Sequence, residues 1–109
     1  MKGMLTLFLV AMVLPLSVSA GEIYGSITAD GRTVKEGVGV EVASGGKTYS
    51  TKTDSSGSYR VFVPEKGNCA LAVHYGGQSA TVGIHSYETS ARYDLALEMK
   101  EGKYSLRIK

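Results

Sequence analysis

Few side chains in this sequence are equipped for chemistry, and their spacing limits what they can do. His74 and His85 are the two histidines, and Cys69 is the one cysteine. Both histidines lie in alternating runs on either side of Gly76-Gly77. A two-residue hairpin there places His74 opposite Ser79 and His85 opposite Asn68. At about 3.4 Å per residue the two histidines lie about 17–20 Å apart, too far to share a metal ion. Neither sits in a motif that supplies a nucleophile and a carboxylate, so no Ser-His-Asp set is assigned. Asp30 and Asp54 each precede a nearby glycine, but neither has the clustered acids of a calcium loop. Closing a turn is their expected role. No pair of acidic residues singles itself out for acid–base work, and no glycine-rich phosphate loop leads into a helix. No catalytic residue, metal or cofactor is expected, and the chain reads as a non-enzyme.

Cys69 falls on one apolar row with Leu71 and Val73. That placement predicts a buried thiol acting as a small hydrophobe. With a single cysteine, no intramolecular disulfide can form. Tyr24 and Phe62 fall on the outward side of their strands, and Tyr87 falls in a loop. Outward aromatics give contact area to a protein partner or a sugar ring, so these three are the candidate binding residues.

These side chains must be positioned by a small domain. The chain has 109 residues with 12 Lys and Arg against 10 Asp and Glu, a net charge of +2. That balance is too weak to argue for nucleic acid or an anionic lipid surface. The first 20 residues are expected to lie outside the fold. Met1-Lys2-Gly3 is a short positive start, Met4 to Leu16 is almost unbroken apolar sequence, and Ser17-Val18-Ser19-Ala20 supplies small residues. This is the pattern of a secretory signal peptide cut between Ala20 and Gly21. The apolar run is shorter than the ~20 residues of a membrane span, so no stable anchor is expected after cleavage. Residues 21–109 then form one exported domain, periplasmic or extracellular.

From residue 22 onward the sequence alternates with period 2 and shows no helical stretch. Strands are expected at 22–28, 38–44, 47–53, 58–64, 69–75, 78–84, 91–100 and 103–109. Three hairpins follow from tight turns at Gly45-Gly46, Gly76-Gly77 and Glu101-Gly102. They set Val42 against Tyr49, Leu71 against Val82 and Leu97 against Leu106. A slip of one residue would turn each apolar row to solvent, so the registers support one another. The third hairpin opposes Lys100 to Lys103, a repulsion near its tip. Asp54 is expected to close a longer turn through amides two or three residues on, with Gly57 at positive φ. Tyr59, Val61 and Val63 then point inward. The remaining expected core is Ile23, Ile27, Val38, Val40, Val42, Cys69, Leu71, Val73, Val82, Ile84, Tyr93, Leu95, Leu97, Leu106 and Ile108. Eight short strands with regular turns predict an all-β, two-sheet sandwich.

Four segments in order carry a family resemblance. They are Gly25-Ser26-Ile27-Thr28, Gly37-Val38-Gly39-Val40-Glu41-Val42, the turn Thr53-Asp54-Ser55-Ser56-Gly57-Ser58-Tyr59, and Val63-Pro64-Glu65-Lys66-Gly67 before Cys69. Together, over about residues 21–84, they resemble the carboxypeptidase-regulatory-like domain of the prealbumin-like, or transthyretin-like, β-sandwich group. The resemblance implies an Ig-like sandwich of seven to eight mostly antiparallel strands, with Asp54, Gly57 and Tyr59 as structural turn residues. It also implies a non-catalytic module. The urate-pathway hydrolases of that group end in Tyr-Arg-Gly-Ser, which Tyr104-Ser105-Leu106-Arg107 does not match. The expected function is a secreted module that binds a protein or cell-envelope partner. A carbohydrate-binding module is the second possibility, and a small hydrolase on the same scaffold is the third.

Overall fold

The computed structural model describes residues 21–109. The expected signal peptide, up to Ala20, lies outside the described residues. Ten strands form in chain order: β1 (Glu22–Ala29), β2 (Arg32–Thr33), β3 (Gly39–Ser44), β4 (Lys47–Lys52), β5 (Ser58–Phe62), β6 (Gly67–Tyr75), β7 (Gln78–Ser86), β8 (Ala91–Arg92), β9 (Leu95–Lys100) and β10 (Lys103–Ile108). They make a six-stranded sheet centred on β1 and a four-stranded sheet in the order β4-β3-β6-β7. The two pack face to face as a sandwich, and no helix forms among the described residues.

The three hairpins take the registers set by their turns. Val42 faces Tyr49, Leu71 faces Val82 and Leu97 faces Leu106. Alternation then drives one row of each strand inward. Ile23, Ile27, Val40, Val42, Val63, Leu71, Val73 and Leu95 are fully buried. Each such side chain contributes about 1.5–3 kcal/mol from burial, which is how so small a domain holds together without a disulfide.

The last run departs from expectation. Residues 91–100 do not form one strand, because the chain breaks at Tyr93-Asp94 between β8 and β9. Both pieces pair with β1 in parallel, whereas β5 and β2 pair with it antiparallel. The break has a physical cause at Gly25. Ile23, Gly25 and Ile27 share the inner row of β1, and the Tyr93 carbonyl fills the space a side chain would need. A Cβ on Gly25 would sit 2.1 Å from that oxygen. The Asp94 carboxylate replaces the ladder partner lost at the break, accepting the Ser26 N–H at 2.9 Å and the Ser26 hydroxyl at 3.2 Å.

Other differences follow from position in the sheets. Ile108 is 41% exposed, since it is the last residue of the edge strand β10. Val82 and Tyr93 are half-buried, not buried. Val34, Ala80 and Ala96 join the buried set. Val34 does so because the short strand β2 folds back on β1, and the Val34 N–H donates to the Ile27 carbonyl at 3.1 Å. The count of ten strands exceeds the expected seven to eight through β2 and the split of the 91–100 run.

Candidate functional site

The turn after β4 forms as a closed loop. The Asp54 carboxylate accepts the Ser56 N–H at 2.9 Å, the Ser56 hydroxyl at 2.8 Å and the Ser58 N–H at 3.0 Å. The amides are thus two and four residues on, where two or three were expected. The Ser56 hydroxyl, followed by the Ser58 and Ser56 amides, holds the Asp54 carboxyl below the usual range. Gly57 has φ +78°. Tyr59 runs inward from this turn, and its hydroxyl donates to the Tyr93 carbonyl at 2.7 Å. Burial, then the Asp94 charge, pushes that hydroxyl well above its ordinary range. Thr53 adds a buried link that alternation alone does not reveal. It accepts the Val38 N–H at 2.9 Å and donates to the Lys35 carbonyl at 2.7 Å. The polar groups of these residues bond within the chain, at the surface for Asp54 and Ser56 and in the interior for Thr53 and Tyr59.

The histidines lie on the outer face of the four-stranded sheet, at opposite ends of the β6–β7 ladder. His74 faces Ser79 and His85 faces Asn68, as the hairpin register requires. His74 Nδ1 lies 2.7 Å from Ser79 Oγ, and its Nε2 lies 3.1 Å from Glu41 Oε1. With the proton on Nε2, the imidazole donates to Glu41 and accepts from Ser79. This is the connectivity of a charge-oriented serine, and Glu41 comes from β3, a strand remote in sequence. The chain of groups lies open to solvent: the His74 and Glu41 side chains are 44% and 46% exposed. Water-excluded electrostatics are what such a serine needs to act as a nucleophile. His85 Nδ1 lies 3.2 Å from Asn68 Oδ1, and its ring packs against Tyr87 with centroids 4.4 Å apart and planes tilted by 47°. Among the described residues no group of three metal-ligating side chains converges. Cys69 is buried, as its row predicts, with its thiol 3.5 Å from the Gly67 carbonyl.

The aromatic candidates divide between the two sheets. Tyr24 and Phe62 are diagonal neighbours on the outer face of the six-stranded sheet, since Tyr24 pairs with Arg60 and Glu22 with Phe62. Phe62 is 48% exposed and Tyr24 half-buried. The Arg60 guanidinium lies 5.7 Å from the Tyr24 ring centre and bonds Glu22 at 2.6 Å. Tyr87 does not join them; it stays with His85 on the other sheet. Farther across the first outer face, a cleft of about 440 Å³ opens over Thr28 and Ala96. Asp30, Glu98, Arg107 and Lys109 form its walls. Arg107 is paired with Glu98 at 2.9 Å, and Asp30 accepts the Met99 N–H at 3.3 Å. Sequence reasoning missed this cleft because β1 and the β9–β10 hairpin, distant from each other in sequence, build it together. The alternation of Lys103, Arg107 and Lys109 along one row was its visible signal.

No protein-family model matches the chain, and no curated protein matches it. Among solved structures, one of a candidate cell adhesion protein from Bacteroides ovatus aligns with 84% of this chain at 11% identity, with a TM-score of 0.46. The chain spans 44% of the length of that structure.

Proposed function

We propose that this chain is an exported, non-catalytic binding module whose docking surface is the outer face of the six-stranded sheet. The observation that carries the reading is the content of that face. It presents Tyr24 and Phe62 side by side at one end and the cleft at the other, all on strands fixed by ladder bonds. Aromatic rings on rigid strands give contact area at low entropic cost. The second outer face offers the Glu41–His74–Ser79 chain open to solvent, which favours binding over turnover.

Export is part of the proposal. It is supported by the leader-like residues before Gly21 and by Gly21 itself, whose carbonyl already accepts the Val63 N–H at 2.8 Å. Intact mass of the secreted protein should begin at Gly21. The closed Thr53-to-Tyr59 turn supports placing the chain in the carboxypeptidase-regulatory-like group. The decisive experiment is affinity capture from an envelope fraction with residues 21–109. Wild-type protein should retain an envelope component that the Tyr24→Ser/Phe62→Ser variant loses while keeping its unfolding midpoint. Equal retention by the variant would remove this face as the docking surface.

A further inference from the structure

The β9–β10 hairpin concentrates cations on that same outer face. Lys103, Ser105 and Arg107 share one side of β10, Lys109 follows directly past its end, where its N–H bonds the Asp94 carbonyl at 2.8 Å, and Lys100 stands directly opposite Lys103. Like charges facing each other across a ladder destabilise it, so the pair calls for an anion to relieve it. Arg107 is held by Glu98, but Lys100, Lys103 and Lys109 make no ion pair among the described residues. All three are exposed. Alternate residues of a strand lie about 6.8 Å apart, so the row extends for about 20 Å. The cleft adjoins it, with Arg107 and Lys109 as one wall.

We infer that this row and cleft bind an anionic polysaccharide bearing carboxylates, a uronic-acid type of chain. The inference rests on the binding-module reading and names its ligand class. The cleft lining chooses among polyanions. Asp30 and Glu98 stand beside the cations, and each keeps acceptor capacity beyond the bonds it makes. Carboxylates repel a purely acidic peptide but accept hydrogen bonds from sugar hydroxyls. Lys100, Lys103 and Lys109, which make no ion pair among the described residues, in turn pair with the sugar's carboxylates. A neutral glycan would leave those cations unused. No aromatic ring lines the cleft. Affinity for one sugar unit is therefore low, and retention depends on several units engaging the row together.

Affinity electrophoresis and titration with polygalacturonate test this. Two controls share half of its chemistry: the methyl-esterified polymer keeps the hydroxyls without charge, and poly-glutamate keeps the charge without hydroxyls. Polygalacturonate should bind at least tenfold more tightly than either, and binding should weaken as salt rises. Lys103→Gln/Lys109→Gln should weaken it at least tenfold with an unchanged unfolding midpoint. Lys35→Gln/Lys52→Gln removes the same charge elsewhere and should leave it within twofold. Equal binding of poly-glutamate, equal binding of the ester, or equal loss in the Lys35/Lys52 variant would overturn the inference. If envelope capture persists but polygalacturonate does not bind, the ligand class falls and the docking face stands. If both fail, both fall.

Discussion

Gly57 offers the sharpest test of the fold's construction. Its φ of +78° disfavours any residue with a Cβ, by about 1–2 kcal/mol. Its surroundings add a second penalty. A Cβ there would lie 2.2 Å from Thr33 Cγ2 and 2.8 Å from the Val34 carbonyl oxygen. The methyl can rotate away, but the carbonyl belongs to the segment that β2 folds onto β1. Forcing such a contact costs about 1–3 kcal/mol. Gly57→Ala should therefore lose about 2–5 kcal/mol in total. Gly46 separates the two penalties, since it has φ +85° and nothing within 4 Å of an added Cβ. Gly46→Ala should lose only the conformational part, about 1–2 kcal/mol. Urea unfolding of residues 21–109, followed by circular dichroism, measures both. For a domain of this size the Gly57 variant should melt at least about 10 °C lower than wild type. Equal midpoints for the two variants would refute the close approach of the turn to Thr33 and Val34.

Three further outcomes are expected. Ser26, followed by Arg92, holds the Asp94 carboxyl below its usual range, so its contribution is full above about pH 5 and fades as pH falls through 4 and below. Asp94→Ala should cost toward the low end of about 1.5–3 kcal/mol at pH 7, and less at pH 2; a cost independent of pH would exclude the carboxylate's charge as the cause. Cys69 should react with a thiol reagent only slowly until denaturant is added, and fast native labelling would contradict its burial. The protein should hydrolyse p-nitrophenyl acetate no faster than free imidazole, whereas turnover abolished by both His74→Ala and Ser79→Ala would make the Glu41–His74–Ser79 chain an active site.

Local order in the sequence was enough to place the hairpins and their apolar rows. A tight-turn dipeptide flanked by period-2 runs leaves one register in which both inner rows agree, as Leu71 with Val82 shows. Contacts between segments distant in sequence were not legible in this way. The parallel pairing of β1 with β8 and β9 joins residues nearly 70 positions apart with no shared turn. The break at Tyr93-Asp94 hides because Tyr93, Leu95 and Leu97 keep perfect alternation through it. The same limit governs the sites. His74 against Ser79 is a hairpin pair and was visible, but Glu41 reaches His74 only through the β3–β6 pairing. The cleft needs β1, β9 and β10 together. From the sequence, its hairpin showed the repulsion of Lys100 and Lys103 and a row of cations, but not the wall that β1 adds.

That break is also what fixes the proposed docking face. Tyr93 donates its N–H to the Tyr24 carbonyl at 2.8 Å and receives the Tyr59 hydroxyl on its own carbonyl. Its side chain then crosses to the other sheet. The hydroxyl donates to the His85 carbonyl at 2.9 Å and accepts the His85 N–H at 3.1 Å, occupying the free edge of β7 as a partner strand would. Gln78 closes the opposite end of that edge, bonding the Gly102 carbonyl and the Tyr104 N–H of the β9–β10 hairpin at 2.9 Å each. The two sheets are thus tied at both ends of β7 by side chains that point inward or along the edge. None of these ties uses the outer side chains of β1, β9 or β10. Tyr24, Phe62, Lys100 and Lys103 therefore stand on strands held from behind, and their outer side chains take no part in these ties.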